Sequence, residues 1–307
     1  MSTCRLARRL LALTVAACST ALAPAQQPPL PDFSKVEIKT TQLSENFYTL
    51  EGQGGTISVL TGPDGVLLVD SQYAALTNRL VAAIRQITDR PIRFLINTHV
   101  HPDHTGGNEN FAKLGAVIFA REQLRARLEH PSPGADGSPG VPAPAMGLPV
   151  VTYDAPVTIH VDGEDVHLIP IRAAHTDGDT VVSFPAHDIL AVGDIFRSSG
   201  YPYADLSNGG SLTGMIDGLA TLISLAGPNT RVIPGHGAIT NRSGLIAQRE
   251  LILAVRAKVA ALIAQDKSID EIIAAKLTAE YDAQVPQGAQ SAEHFVQWVY
   301  TEVKAGH

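Results

Sequence analysis

Cysteine is nearly absent from this chain of 307 residues, and its only two cysteines, Cys4 and Cys18, lie close to the N-terminus. If the N-terminal segment is removed on maturation, the remaining protein has no disulfide and no thiolate for nucleophilic attack or metal binding. Cysteine usage therefore does not report the redox compartment of the protein.

An excess of basic charge is also lacking, because 23 Lys and Arg residues face 30 Asp and Glu residues, for a net charge of −7. Removal of residues 1–25, which contain three arginines and no acidic residue, would take the net charge to −10. An acidic surface repels phosphate backbones, so we do not expect nucleic acid as a partner.

Long apolar runs are missing as well. Residues 1–25 have the pattern of an export signal: three arginines, a short apolar run over residues 10–17, and the small-residue site Ala23-Pro24-Ala25. The run is too short to span a bilayer. An alternative is a bacterial lipobox at Val15-Ala16-Ala17-Cys18, with Cys18 lipidated. We predict a periplasmic or secreted protein that is membrane-attached only if Cys18 carries lipid. A proline-rich linker over residues 26–35 would follow the signal segment.

The rest of the chain alternates strand-like and helix-like patterns, which predicts an α/β protein. Strand-like segments span residues 36–41, 47–50, 57–60, 66–70, 93–97, 116–120, 157–161, 166–170, 181–184, 189–192 and 231–233. Helical spacing covers residues 74–87, 108–113, a segment ending near 128, and 212–225, 243–265, 268–276 and 290–304. Two runs of strands, each closed by helices, match a four-layer sandwich. Residues 131–149, rich in proline and glycine, are either a surface connector or a flap over the site.

The densest group of candidate ligands follows the strand at residues 93–97. Three histidines and one aspartate occur there as His99-x-His101-x-Asp103-His104. Imidazole and carboxylate are ligands that zinc accepts readily. In an extended segment, alternate side chains share a face, so His99 and His101 can bind one metal ion. After the turn at Pro102, Asp103 and His104 can face a second one.

This motif resembles the signature of the metallo-β-lactamase superfamily, which has an αββα fold and binds two metal ions at its edge. The resemblance implies three further ligands, for which His175, Asp194 and His236 are the candidates. It implies two zinc ions, one bound by His99, His101 and His175 and the other by Asp103, His104 and His236, with Asp194 shared. The domain would cover residues 36–265, with a helical extension at 266–307 packed on it.

Other polar residues near these motifs receive supporting or structural roles. Asp70, at the end of an earlier strand, resembles a family residue that braces the ligand loop. Asp177 and Asp179 are interpreted as turn residues that bond the backbone. The remaining histidines are expected on the surface or on strand faces: His130, His160, His167, His187, His294 and His307.

The resemblance implies a hydrolase in which Asp103 orients a metal-bound hydroxide for attack on a small-molecule substrate. With the export signal, β-lactams are the leading expectation among cyclic amides and esters. Arg197 would then bind a carboxylate and Asn208 an oxyanion, although a surface ion pair and a turn residue are open alternatives. Residues Phe196, Tyr201 and Tyr203 would form an apolar wall beside the metals.

Asp194 stands where one lactamase subclass has cysteine, which favours a thioesterase of the glyoxalase II type or a lactonase as the alternative. A mono-iron enzyme similar to the persulfide dioxygenases is a third possibility, which metal content would distinguish. No cluster of basic residues in the C-terminal tail would hold glutathione.

Overall fold

A computed structural model describes residues 32–133, 137–286 and 291–306 of the chain. The predicted export signal at residues 1–25, both cysteines, the linker up to residue 31 and His307 lie outside the described residues. Residues 32–35, predicted as the end of the linker, include a 3-10 turn at Phe33–Lys35. The Arg79 guanidinium donates to the carbonyls of Phe33, Ser34 and Val36, which binds this turn to the folded domain.

The first sheet contains seven described strands that pair in chain order. They are β1 Lys39–Gln42, β2 Phe47–Glu51, β3 Ile57–Gly62, β4 Gly65–Val69, β5 Ile92–Ile96, β6 Val117–Arg121 and β7 Val151–Tyr153. The first four strands are antiparallel, whereas β4 to β7 run parallel. The sequence patterns did not predict β7, a short strand at the sheet edge.

The second sheet contains five described strands in the order β12-β11-β10-β9-β8. They are β8 Val157–Val161, β9 Glu164–Pro170, β10 Thr180–Phe184, β11 Ile189–Ala191 and β12 Arg231–Ile233. Strands β8 and β9 form the predicted hairpin, and Asp162 and Gly163 both have positive φ in its turn. A two-residue Asp-Gly connection with positive φ at both positions matches the twist of the flanking strands.

Helices cover the outer faces of both sheets. They are α1 Thr77–Ile87, α2 Pro102–Thr105, α3 Asn108–Lys113, α4 Glu122–Glu129, α5 Leu212–Leu225, α6 Arg242–Ile263, α7 Ile269–Ala274 and α8 Ala292–Ala305. Within the described part of the chain, no helix combines the length and the apolar character that crossing a membrane requires.

Alternation along the strands builds three apolar layers. In β4, Leu67 and Val69 point to a core between the two sheets, whereas Val66 and Leu68 point to a core beneath α1 and α3. A third core lies between the second sheet and helices α5, α6 and α8. Because a strand buried on both faces needs apolar residues at every position, its sequence reads as a continuous apolar run. The predicted four-layer αββα sandwich is confirmed.

Candidate metal centre

Each candidate ligand lies just after the carboxyl end of a strand. His99 and His101 follow β5, and Asp103 and His104 lie in the single turn of α2 that comes next. The other candidates follow strands of the second sheet: His175 after β9, Asp194 in the 3-10 turn Gly193–Ile195 after β11, and His236 after β12. The two sheets therefore bring their strand ends to one edge of the sandwich.

The seven candidates form two adjacent groups. One comprises His99, His101, His175 and Asp194, and the other Asp103, His104 and His236, and within each group one ligand atom per residue lies within 4.8 Å of the others. In the first group, His175 Nε2 is 3.1 Å from His101 Nδ1 and 3.8 Å from Asp194 Oδ2.

The second group surrounds the other oxygen of Asp194. His104 Nε2 lies 3.4 Å and His236 Nε2 3.5 Å from Asp194 Oδ1, and His236 Nε2 is 3.1 Å from Asp103 Oδ2. Asp194 thus presents one oxygen to each group, which is the arrangement that a shared carboxylate between two metal ions requires.

Two acceptor atoms in this region suit metal ions better than protein partners. His99 Nε2 and Asp194 Oδ1 are buried, and neither has a hydrogen-bond partner among the described residues. Buried polar atoms are normally satisfied, so unpartnered acceptors at the centre of a histidine and aspartate cluster fit bound cations. The donor set, five imidazoles and two carboxylates without sulfur, is one that zinc accepts.

The electrostatics keep four members of this donor set in their metal-binding protonation states. Burial lowers the pKa of His175 to about 4 and takes that of His99 well below its usual range, so both are neutral at pH 7. Burial alone would raise the pKa of Asp103 and Asp194, but the neighbouring histidines outweigh it. The pKa of Asp103 falls to about 2 and that of Asp194 well below its usual range, so both carboxylates are ionised.

Each buried ring has a partner on the side that faces away from the centre. Asp70 Oδ2 is 2.7 Å from His104 Nδ1, and the Tyr203 carbonyl is 2.8 Å from His175 Nδ1. Burial alone would lower the pKa of His104, but the charges of Asp70 and Asp103 raise it well above its usual range. The contact between Asp70 and His104 is the one that the bracing role implied by the resemblance requires.

Asp205, which was not predicted from the sequence, orients the ring of His101 in the way that Asp70 orients that of His104. Asp205 Oδ2 lies 2.8 Å from His101 Nε2, so Nδ1 is the nitrogen that faces the centre. The carboxylate is held by the backbone N–H of Ser207 and the side chain of Asn208. A sequence signal was present, since Asp205 begins an Asp-x-Ser-Asn turn of the kind in which aspartate accepts from the next residues.

Glycines allow this close packing. A Cβ on Gly55 would lie 2.1 Å from Cε1 of His104, and one on Gly235 would lie 1.8 Å from Oδ1 of Asp194. The backbone of the Pro234-Gly235-His236-Gly237 segment therefore lies directly against Asp194. Gly55 also donates its N–H to the Asp103 carbonyl at 3.0 Å.

The two residues expected to contact the substrate both have protein partners in the structure. Arg197 Nε donates to the Ser199 carbonyl, and this side chain lines a different cavity from the one that His101 lines. Asn208 does line the His101 cavity, but its amide nitrogen donates to Asp205 at 2.8 Å. The reason is local. The turn that carries Arg197 faces the C-terminal residues 281–286. Asn208 belongs to the turn whose N–H groups donate to the Asp205 carboxylate.

Of the predicted apolar wall, only Tyr203 adjoins the centre, with its ring 6.0 Å from that of His175. Phe196 and Tyr201 are buried in the outer core, where the Tyr201 ring stacks on Phe295 of α8. The apolar wall is therefore wrong for these two residues, because the C-terminal helix covers them.

Two further residues also depart from expectation. His187, expected on the surface or on a strand face, lies largely buried in a 3-10 turn between Ser44 and Glu164, where both ring nitrogens have partners. Asp177, expected to be only a turn residue, forms an ion pair with Arg127 at 2.7 Å. Asp179 does act as predicted, since it accepts from the backbone N–H groups of His175 and Thr176.

Sequence comparison identifies several relatives of the chain. Over 158 residues it is 26% identical to a hydroxyacylglutathione hydrolase of Nitrosococcus oceani. The aligned segment covers 51% of this chain and 52% of that protein. Over 73 residues it is 34% identical to a linear primary-alkylsulfatase of Pseudomonas sp.. This aligned segment covers 22% of this chain and 14% of the relative. The chain thus spans about half or less of the length of these curated relatives.

Solved structures share the fold at low sequence identity. The sec-alkylsulfatase Pisa1 from Pseudomonas sp. has a TM-score of 0.67 at 15% identity, covering 86% of this chain and 50% of that one. A metallo-beta-lactamase from Pontibacter korlensis has a TM-score of 0.57 at 20% identity, covering 71% of this chain and 99% of that one. The family model described as the metallo-beta-lactamase superfamily matches residues 50–236. That match covers more than half of the sequence, and the fold agrees with it, so this chain belongs to the metallo-beta-lactamase superfamily.

Proposed function

We propose that this protein is a hydrolase that uses two zinc ions to cleave uncharged esters, lactones among them. The observation that supports this most directly is the pair of ligand groups on either side of Asp194, with its unpartnered Oδ1. His99, His101 and His175 would hold one ion, Asp103, His104 and His236 the other, and Asp194 both. Zinc bound there would supply the Lewis acidity that activates water near neutral pH.

The side chains around the centre have complementary tasks in such a reaction. Asp103 is ionised and partly exposed, so its carboxylate can accept a hydrogen bond from a water molecule and orient that water toward a substrate carbonyl. Asp70 and Asp205 fix the orientations of His104 and His101. Outside the N-terminal segment the chain has no cysteine, so no thiolate nucleophile takes part.

The surroundings of the centre favour esters over β-lactams, the leading expectation from sequence. The β-lactam hypothesis rested on export, the metal centre and Arg197 with Asn208, and the Arg197 guanidinium lines another cavity. Relatives with hydrolase and sulfatase names agree with a hydrolytic reaction at this centre but do not fix the substrate. Hydrolysis of cyclic amides, including β-lactams, is therefore the second candidate function.

One experiment tests the proposal at two levels. Metal analysis of protein purified without added metal should find two zinc ions per chain, whereas one iron and no zinc would indicate the dioxygenase branch. The same protein is then assayed with a phenyl ester, a homoserine lactone, a chromogenic cephalosporin, a carbapenem and a glutathione thioester. We expect chelator-sensitive turnover of the ester and the lactone. Turnover of the cephalosporin alone would refute the ester assignment.

An Arg197→Ala variant separates the two candidates further. If a β-lactam carboxylate bound this guanidinium, its loss would reduce kcat/KM for the cephalosporin about ten- to a hundredfold. We expect no change with any substrate, because Arg197 is not in the His101 cavity.

A further inference from the structure

A cavity of about 600 Å³ adjoins the metal centre on the side of His101. It lies between α2, α4 and the proline-rich stretch, of which residues 131–133, 141, 143, 144 and 147 line it. Cavities of several hundred Å³ beside a reactive centre are the usual size for small-molecule sites. Part of this stretch, for which the sequence allowed either a surface connector or a flap, therefore forms a wall of the cavity.

The polar side chains that line the cavity already have protein partners. Ser132 donates to the Ser207 carbonyl, and Thr105 donates to the carbonyls of Val100 and His101. Asn108 exchanges hydrogen bonds with Asn97 and donates to the Gly147 carbonyl. Because these donors are occupied, they are not free to recognise a polar group of a substrate.

The two charged side chains of the wall are also paired. Arg127 forms an ion pair with Asp177 at 2.7 Å and donates to the Ser207 carbonyl, and Glu109 pairs with Lys113 at 2.8 Å. An anionic substrate group such as a carboxylate would therefore have to displace Asp177 from Arg127. The cavity offers no unpaired cation among the described residues that line it.

The rest of the wall is apolar and continues to the surface. Val100, Leu128, Val141 and Ala143 line the cavity together with four prolines. Val141 is 86% exposed, and Met146 and Leu206, which adjoin lining residues in the sequence, are also exposed apolar side chains. Exposed apolar groups gathered at the entrance of a site are typical of surfaces that bind apolar ligands.

We propose that this cavity holds an unbranched apolar tail of the substrate, so that the enzyme acts on amphiphilic esters whose scissile group reaches the metals beside His101. The inference rests on the proposed ester hydrolysis and specifies its substrate class. Val141 and Leu128 are its specificity-determining residues. A tail there would gain the free energy of leaving water, and most of the polar groups in the wall are already paired within the protein.

A series of p-nitrophenyl esters with acetyl, butyryl, octanoyl and dodecanoyl groups tests the proposal. The value of kcat/KM should rise by up to about fourfold for each methylene that becomes fully buried. Val141→Asp should flatten this dependence by placing a charge at the mouth. Val150→Asp is the matched control, since Val150 is 71% exposed directly after the same stretch but does not line the cavity.

A second readout separates this proposal from the proposed function. Binding of the uncharged fluorophore N-phenyl-naphthylamine to metal-free protein should be weakened by Val141→Asp and unchanged by Val150→Asp. If the esters are cleaved but chain length has no effect, the tail site is refuted and the hydrolase stands. If no ester is cleaved while the fluorophore still binds in a Val141-dependent way, the proposed reaction fails and the apolar site stands.

Discussion

Replacement of Asp70 by asparagine tests how the protein controls the protonation of His104. Asp70 is buried; its Oδ1 accepts from the backbone N–H of Thr98, and its Oδ2 lies 2.7 Å from both His104 Nδ1 and the Thr98 hydroxyl. Its φ of +69° is a left-handed conformation, which asparagine also adopts readily. The variant should therefore fold with the same backbone.

The substitution reverses one hydrogen bond. Because the oxygen that accepts from Thr98 N must remain an oxygen, the new amide NH₂ would face His104 Nδ1. That nitrogen would then have to accept, and the ring proton would move to Nε2, the atom directed at Asp103, Asp194 and His236. A protonated Nε2 cannot bind a metal ion.

We expect the affinity for the second metal ion to fall ten- to a hundredfold, about 1.4–2.7 kcal/mol, as for other residues that orient ligands. A competition titration with a chromogenic chelator measures this, and circular dichroism checks the fold. Asp165→Asn is the matched control, because Asp165 Oδ1 lies 2.6 Å from His160 Nδ1 in an exposed pair on the β8–β9 hairpin. If Asp70→Asn binds two metal ions as tightly as the control does, the tautomer argument is refuted.

Two further predictions concern the shared ligand and the N-terminus. Asp194→Asn should lose one metal ion and most hydrolysis while the fold survives. Asp177→Ala should keep both ions and lose at most about 1 kcal/mol of stability, because it breaks only a partly exposed ion pair with Arg127. Equal metal loss in the two variants would show that Asp194 is not the shared carboxylate. We also propose export, so N-terminal sequencing of protein from its native host should begin near Gln26; a lipidated Cys18 would indicate a lipoprotein, and an intact Met1 would contradict export.

Local patterns predicted most of the secondary structure. The helix at residues 212–225 has the predicted bounds, because Ser211 caps its N-terminus and apolar residues repeat on the face that meets the second sheet. Strand β7 was missed because three residues at a sheet edge, after a proline-rich stretch, carry too short a pattern to stand out. Its pairing with β6 is a tertiary contact.

The candidate ligands could be named from the sequence because ligand chemistry is restrictive. Few residue types bind zinc, and four of the seven candidates lie within six residues of one another. The other three, His175, Asp194 and His236, were found by resemblance, each at the end of a predicted strand. The structure brings all seven together because parallel and adjacent strands end at the same edge of the sandwich.

Only the tertiary structure decided what surrounds these ligands. Arg197 and Asn208 lie near candidate ligands in the sequence, yet one side chain lines a different cavity and the other holds Asp205. The carboxylate of Asp205 contacts His101 from 104 positions away, a distance over which sequence spacing carries no information. The sequence by itself thus determined the fold class and the candidate metal ligands, through apolar periodicity, the chemistry of histidine and aspartate, and resemblance to the superfamily. The direction of each neighbouring side chain depends on how the loops pack, so the shape and polarity of the cavity were decided by the tertiary structure.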